Sequence, residues 1–99
     1  MRLTPQEADR IRETAEAHFG PGTVVRLFGS RADDTRRGGD IDLHIIAGDP
    51  DRVSLAEEIR FRVALEAAIG EQRVDVLLRR GADPDLPIDQ IAKTSGVTL

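Results

Sequence analysis

Gly29-Ser30-Arg31-Ala32-Asp33-Asp34-Thr35-Arg36-Arg37-Gly38-Gly39-Asp40-Ile41-Asp42-Leu43 joins a Gly-Ser turn to a strand that carries two carboxylates. The β-branched run Thr23-Val24-Val25-Arg26-Leu27-Phe28 leads in, and Asp40-Ile41-Asp42-Leu43-His44-Ile45-Ile46 leads out with strict alternation, so both flanks read as strands. Successive side chains of a strand point to opposite faces. Asp40, Asp42 and His44 therefore share one face, and Ile41, Leu43 and Ile45 make the core face. Two ionised carboxylates on one face repel each other, and a cation removes that penalty. Magnesium commonly takes one or two protein carboxylates together with substrate phosphates, so Asp-x-Asp beside a Gly-Ser turn points to phosphate and metal chemistry.

A third acid comes from Arg73-Val74-Asp75-Val76-Leu77-Leu78, the other strand-like segment that contains one. With Val74, Val76 and Leu78 toward the core, Asp75 faces outward. The segment from Asp49 to Gly70 reads as helix, which makes the second and third strands parallel neighbours joined by a crossover, about 4.8 Å apart. Asp75 is then expected beside Asp40 and Asp42.

The remaining elements follow from capping and periodicity. Thr4 as N-cap, Pro5 at the first helical position and Glu7 three residues after the cap predict a first helix that stops at Gly20, with Ile11, Ala15, His18 and Phe19 as its buried stripe. Arg31 to Arg37 reads as a short helix opening at the Gly-Ser turn. The second long helix starts either at Pro50, with Asp49 as cap, or at Ser54, with Glu57 completing a capping box. Leu55, Ile59, Val63 and Ala67, spaced by four and widened by Ala56, Leu65 and Ile69, form its apolar surface before Gly70 closes it. The expected order is α-β-α-β-α-β with a tail, in which Ile88 to Thr94 adds a short helix.

The ordered set of Gly29-Ser30, nine intervening residues, Asp40-Ile41-Asp42 and a distal Asp75 in a hydrophobic strand resembles the polymerase-β-type nucleotidyltransferase superfamily. Within it, the chain is similar over essentially its whole length, residues 1–99 as a single domain, to the minimal nucleotidyltransferases, the antitoxin halves of HEPN/MNT toxin–antitoxin pairs. The resemblance implies an α/β (α+β) fold with a small mixed sheet flanked by helices. It also implies AMP transfer from ATP to a hydroxyl, a tyrosine of a cognate HEPN ribonuclease toxin. Asp40 and Asp42 would bind two Mg2+ ions, and Asp75 the ion that activates the hydroxyl, with a part in removing its proton. Gly29, Ser30 and Arg31 would hold the nucleotide's phosphates. Two departures stand out: Asp33-Asp34 occupies a stretch where relatives often carry Arg-Gly, and Gly39 replaces the Ser that commonly precedes the first catalytic Asp.

Composition fits a small intracellular domain. The chain has 99 residues, no cysteine, and 18 acids against 14 Lys and Arg for a formal charge of −4. No disulfide framework or thiolate metal site is available. No apolar run approaches the ~20 residues of a membrane span, and the amino terminus reads as polar and helical, so the expected location is cytoplasmic. The acidic balance, with three aromatics that are all Phe, argues against a nucleic-acid surface or base-stacking platforms. Homo- and hetero-oligomers both stay open.

Other polar residues have plainer readings. Arg26, on the carboxylate face, is expected to balance the acids there. His44 lies roughly 13 Å along the strand from Asp40 and reads as a bystander rather than a base. His18 suits a helix C-terminus. Asp33, Asp34, Asp49 and Asp51 read as loop or cap residues, and their spacing is not that of a calcium loop. Two further functions compete with adenylylation of a toxin. One is a non-catalytic antitoxin that blocks its toxin sterically, against which the intact Asp40, Asp42 and Asp75 weigh. The other is transfer to a small molecule at a homodimer interface.

Overall fold

The computed structural model describes residues 3–29 and 40–99. Among these, the chain forms α1 (Pro5–Phe19), β1 (Val24–Phe28), β2 (Ile41–Ala47), α2 (Leu55–Ile69), β3 (Val74–Arg80), α3 (Pro87–Ser95) and β4 (Val97–Thr98). The short helix expected over Arg31 to Arg37 lies outside the described residues.

The four strands form one mixed sheet in the order β3-β2-β1-β4. β1 runs antiparallel to β2, with Leu27 opposite Leu43 and Phe28 opposite Asp42. β2 and β3 are parallel neighbours, as the crossover through α2 requires, with Asp42 in register with Asp75. β4, absent from the sequence reading, adds a two-residue antiparallel edge beside Leu27 and Arg26. The result is an α+β fold with a small mixed sheet, as the resemblance implied.

The strands sort their side chains as their alternation dictates. Val25, Leu27, Ile41, Leu43 and Ile45 are buried on one face and pack with Ile11, Ala15 and Phe19 of α1 and with Phe61 and Leu65 of α2. The two helices meet through Phe19 and Phe61, whose ring centroids are 5.2 Å apart. α1 begins at a complete capping box: Thr4 Oγ1 accepts from the Glu7 amide and Glu7 Oε1 accepts from the Thr4 amide, both at 3.1 Å. His18 does not join the buried stripe of α1. Its Nδ1 hydrogen-bonds Glu57 Oε2 at 2.9 Å and ties the end of α1 to the start of α2.

Both candidate starts of the second helix are used. Asp49 caps a single 3-10 turn over Pro50–Arg52, and Ser54 then caps α2 by accepting from the Glu57 amide. The reciprocal half of the box expected there is replaced by the Glu57–His18 contact. A larger correction concerns the apolar surface of α2. Phe61 and Leu65 face the core, whereas Leu55, Ile59 and Val63 stand outside at 74%, 52% and 66% exposure. Apolar residues occur all round this helix, and the face carrying the phenyl ring is the one that fills the space beside Phe19.

α3 takes the opposite face of the sheet. Its anchor is polar: Asp89, almost fully buried, accepts from His44 of β2 and Arg79 of β3, while Ala92 is buried beside it. The outer side of α3 is apolar, with Leu86, Ile88 and Ile91 exposed.

Candidate active site

The three acids expected to form the site lie at one end of the sheet. Asp40 immediately precedes β2, Asp42 is its second residue, and Asp75 is the second residue of the parallel neighbour. Register partners on parallel strands point to the same face, so Asp42 and Asp75 stand side by side. Burial pushes the Asp42 carboxyl above its ordinary range, the charges of Asp75 and Asp40 push it further, and Asp75 is placed to share a proton with it. Asp40 is more open, and its Oδ1 lies 3.8 Å from Arg73 Nε, an exposed ion pair at the head of β3.

Gly29, directly after β1, lies against Asp42. Gly29 has φ +75, a conformation that side chains disfavour, and a Cβ added there would overlap the Oδ2 of Asp42. The backbone thus approaches the Asp42 carboxylate as closely as only glycine allows. Ser30 and Arg31, the other expected phosphate-binding residues, lie outside the described residues, as do Arg36 and Arg37.

Among the described residues no three acidic or imidazole groups converge into a ready-made metal cage. The chemistry of the donor set nonetheless suits a hard divalent cation. Two adjacent carboxylates, one with raised proton affinity and a third acid two residues away, are what such a cation would bridge. Magnesium completes its octahedron with substrate phosphates and water rather than with protein alone.

His44 is not exposed beside the acids. Its side chain is fully buried, and Nε2 hydrogen-bonds Asp89 Oδ1 at 2.8 Å. The carboxylate also accepts from Arg79 Nε at 3.0 Å and, through Oδ2, from the Leu86 amide at 2.8 Å. Burial works to raise the Asp89 carboxyl; the Leu86 amide, His44 and Arg79 outweigh it and hold the group below its usual range. Asp89 was not legible because the short helix that carries it is inverted, with its acid inside and its isoleucines outside. Arg26, the register partner of His44, does not balance the acid cluster through any ion pair among the described residues. Among the described residues its Nη1 is buried without a hydrogen-bond partner, and so is Nδ1 of His44 across the strand pair.

No protein-family model matches the chain, and comparison with curated proteins gives no match. Solved structures do share its fold. A structure described as the toxin–antitoxin with AMP-PNP superposes with a TM-score of 0.66 at 22% identity, over 92% of this chain and 70% of that one. A toxin–antitoxin mutant described as MntA-HpeT, with two aspartates changed to glutamate, gives 0.65 at 20% identity over the same shares. A structure from Shewanella oneidensis gives 0.60 at 16% identity, covering 97% and 71%. The chain therefore has the polymerase-β-like nucleotidyltransferase fold, in a form found in solved toxin–antitoxin structures.

Proposed function

We propose that this chain is a magnesium-dependent nucleotidyltransferase that moves AMP from ATP to a tyrosine hydroxyl of a HEPN ribonuclease toxin, and is thereby that toxin's antitoxin. The observation that carries this reading is the in-register pairing of Asp42 with Asp75 beneath the Gly29 turn, with Asp40 heading the same strand. The AMP-PNP in one structural neighbour and the toxin–antitoxin descriptions of two support the nucleotide and the class of partner.

Asp40, Asp42 and Asp75 would hold two magnesium ions, which supply Lewis acidity toward the acceptor oxygen and neutralise phosphate charge. The acceptor oxygen attacks the α-phosphorus, and the bond from that phosphorus to the α–β bridging oxygen breaks. Pyrophosphate leaves with the electron pair, and the hydroxyl proton passes to the Asp75 carboxylate. Gly29 lets the backbone lie against the Asp42 carboxylate, and Ser30 and Arg31, which follow it in sequence, would hold the β- and γ-phosphates.

The test is intact-mass analysis of the purified partner toxin after incubation with this protein, ATP and magnesium. Each transfer adds about 329 Da, the mass of an adenylyl group arriving by attack at the α-phosphorus. The toxin stays inactive once this protein is removed. An Asp40→Ala, Asp42→Ala double variant folds but neither adds mass nor protects cells. Full protection by that variant, with no change in toxin mass, would instead establish a steric antitoxin.

A further inference from the structure

We infer that the outer edge of β3 is where the partner toxin docks its acceptor: an extended segment pairs antiparallel with β3 and sets its tyrosine opposite Asp75. This docking rests on the proposed transfer of AMP to a tyrosine, and it adds how that residue reaches the metals. Among the described residues β3 is an edge strand, with β2 on one side and no strand on the other. Its backbone groups alternate between the two sides. The Arg73 carbonyl accepts from the Ile41 amide at 2.9 Å, so Arg73, Asp75 and Leu77 turn their N–H and C=O toward β2. Val74, Val76 and Leu78 turn theirs outward.

Most of the outward groups are capped, and the gap falls beside the site. The Val74 carbonyl accepts from Arg62 at 2.7 Å and the Leu78 carbonyl from Arg79 at 3.3 Å, while the Arg80 amide donates to Asp83 Oδ2 at 2.8 Å. Among the described residues the N–H and C=O of Val76 have no partner on this side. Such a pair is what an added strand takes up. In an antiparallel pairing, the residue that exchanges both bonds with Val76 is followed by one directly opposite Asp75, about 4.5 Å away between Cα atoms and with its side chain on the same face. Asp75 is exposed and stands on the side of Asp42 away from β1 and Gly29. An acceptor arriving there attacks from the side opposite the proposed pyrophosphate site, as in-line displacement requires.

The following residue of the segment points to the other face, toward α2. A cleft of about 180 Å3 opens there at the start of β3, lined by Arg62, Leu65, Glu66, Ile69, Gln72 and Val74. It suits one side chain of moderate size, and pockets for alternate side chains are how strand addition gains specificity. The segment is foreign rather than a second copy, because this chain has no tyrosine to offer. A second copy paired at Val76 would instead set its Leu77 against each Asp75 and close the site without an acceptor.

Residue-resolved hydrogen exchange, with and without the purified HEPN toxin, tests the docking. Toxin slows exchange at the Val76 amide by at least about tenfold, the protection of a newly made backbone hydrogen bond. Because this readout is binding, a toxin that protects Val76 yet gains no mass supports the docking edge while refuting the transfer. Val76→Pro removes only an outward N–H, a change that edge strands tolerate. The variant stays folded and binds ATP as wild type does, while its affinity for the toxin falls about tenfold with the loss of that bond. Glu66→Trp, which fills the cleft, weakens toxin binding to a similar degree. A toxin that binds and leaves Val76 exchange unchanged overturns the docking, as does a folded Val76→Pro or Glu66→Trp protein that holds the toxin as tightly as wild type. Protection of Val76 that grows with protein concentration in the absence of toxin also overturns it, because the edge then belongs to a second copy. A toxin that does not bind at all overturns the docking and the antitoxin reading together.

Discussion

Asp89 on α3 accepts a hydrogen bond from His44 on β2 at 2.8 Å, and both side chains are sealed from solvent. With Arg79 on β3 as a second donor, this one carboxylate ties three elements together and is the main anchor of α3 on the sheet. Asp89→Ala leaves a buried imidazole and a guanidinium without their acceptor. The expected loss is about 3 kcal/mol, in line with the removal of one partner of a buried ionic cluster, read by urea unfolding. His44→Ala is destabilising for the same reason, so any loss of activity it causes should track loss of fold. The folded-state value of Asp89 lies below its unfolded one. Its contribution is therefore present above the unfolded value and fades as pH falls through the folded value, and Asp89→Ala should flatten that acid limb.

Asp42 has the opposite sign. Burial, with the nearby charges of Asp75 and Asp40, raises its carboxyl, so the folded protein holds this proton more tightly than the unfolded chain does. At neutral pH the ionised group costs stability, and the cost disappears as pH falls below the unfolded value. Asp42→Asn should stabilise the metal-free protein by about 0.5–1 kcal/mol, the range for like charges on adjacent strands after solvent screening. The gain should shrink with added salt and vanish in acid. A metal-free variant that melts well below wild type would show Asp42 to be a structural partner rather than a member of a repelling cluster.

Much of this architecture was legible in the sequence because its signals are local. Strict alternation fixed the two faces of β2, and the length of the 49–70 segment forced a crossover, which set Asp75 beside Asp42. The Thr4–Glu7 cap located α1. What escaped has no local signature. The Asp89–His44 contact joins residues far apart in sequence, on a helix whose polar side is buried. α2 carries apolar residues on both faces, so spacing by four picked out Leu55, Ile59 and Val63, while shape complementarity to Phe19 selected Phe61. β4 is two residues long, too short for any periodicity to register.

The assignment of the inner face of α2 is itself testable. Phe61 is fully buried against Phe19, whereas Leu55 is largely exposed. Phe61→Ala should cost about 3–4 kcal/mol from lost transfer energy and the cavity left behind. Leu55→Ala, measured on dilute protein, should stay within about 0.5 kcal/mol, as surface substitutions do. Equal costs at the two positions would mean that the helix is rotated about its axis.

The Glu57–His18 contact adds a second acid-sensitive joint. Its hydrogen bond to His18 is the main cause holding the Glu57 carboxyl below its ordinary range. A depressed carboxyl supports folding above its unfolded value and loses that support as pH falls through the folded one. Glu57→Gln should lower stability at neutral pH and reduce the acid dependence of the melting temperature. His18→Gln should lower it too, and the double variant should lose less than the sum of the two, because both single changes break the same contact. Strict additivity would show that the pair is uncoupled in solution.

Gly29→Ala puts two demands on the turn at once. The new Cβ must sit at a positive φ, which costs an L-residue of order 1 kcal/mol, and it must share space with the Asp42 carboxylate. The strain is small beside the stability of a folded domain, so the variant should remain folded, with a melting temperature a few degrees lower. The overlap is more consequential, because it is relieved only by moving Asp42 away from Asp75 or by lifting the backbone off the site. Misplacement of about 1 Å at a reacting centre costs on the order of 100-fold in rate. Gly29→Ala should therefore lose at least that much nucleotidyl transfer, a deficit far larger than its loss of stability. Wild-type transfer by a folded Gly29→Ala protein would show that the close approach of the turn to Asp42 has no part in the reaction.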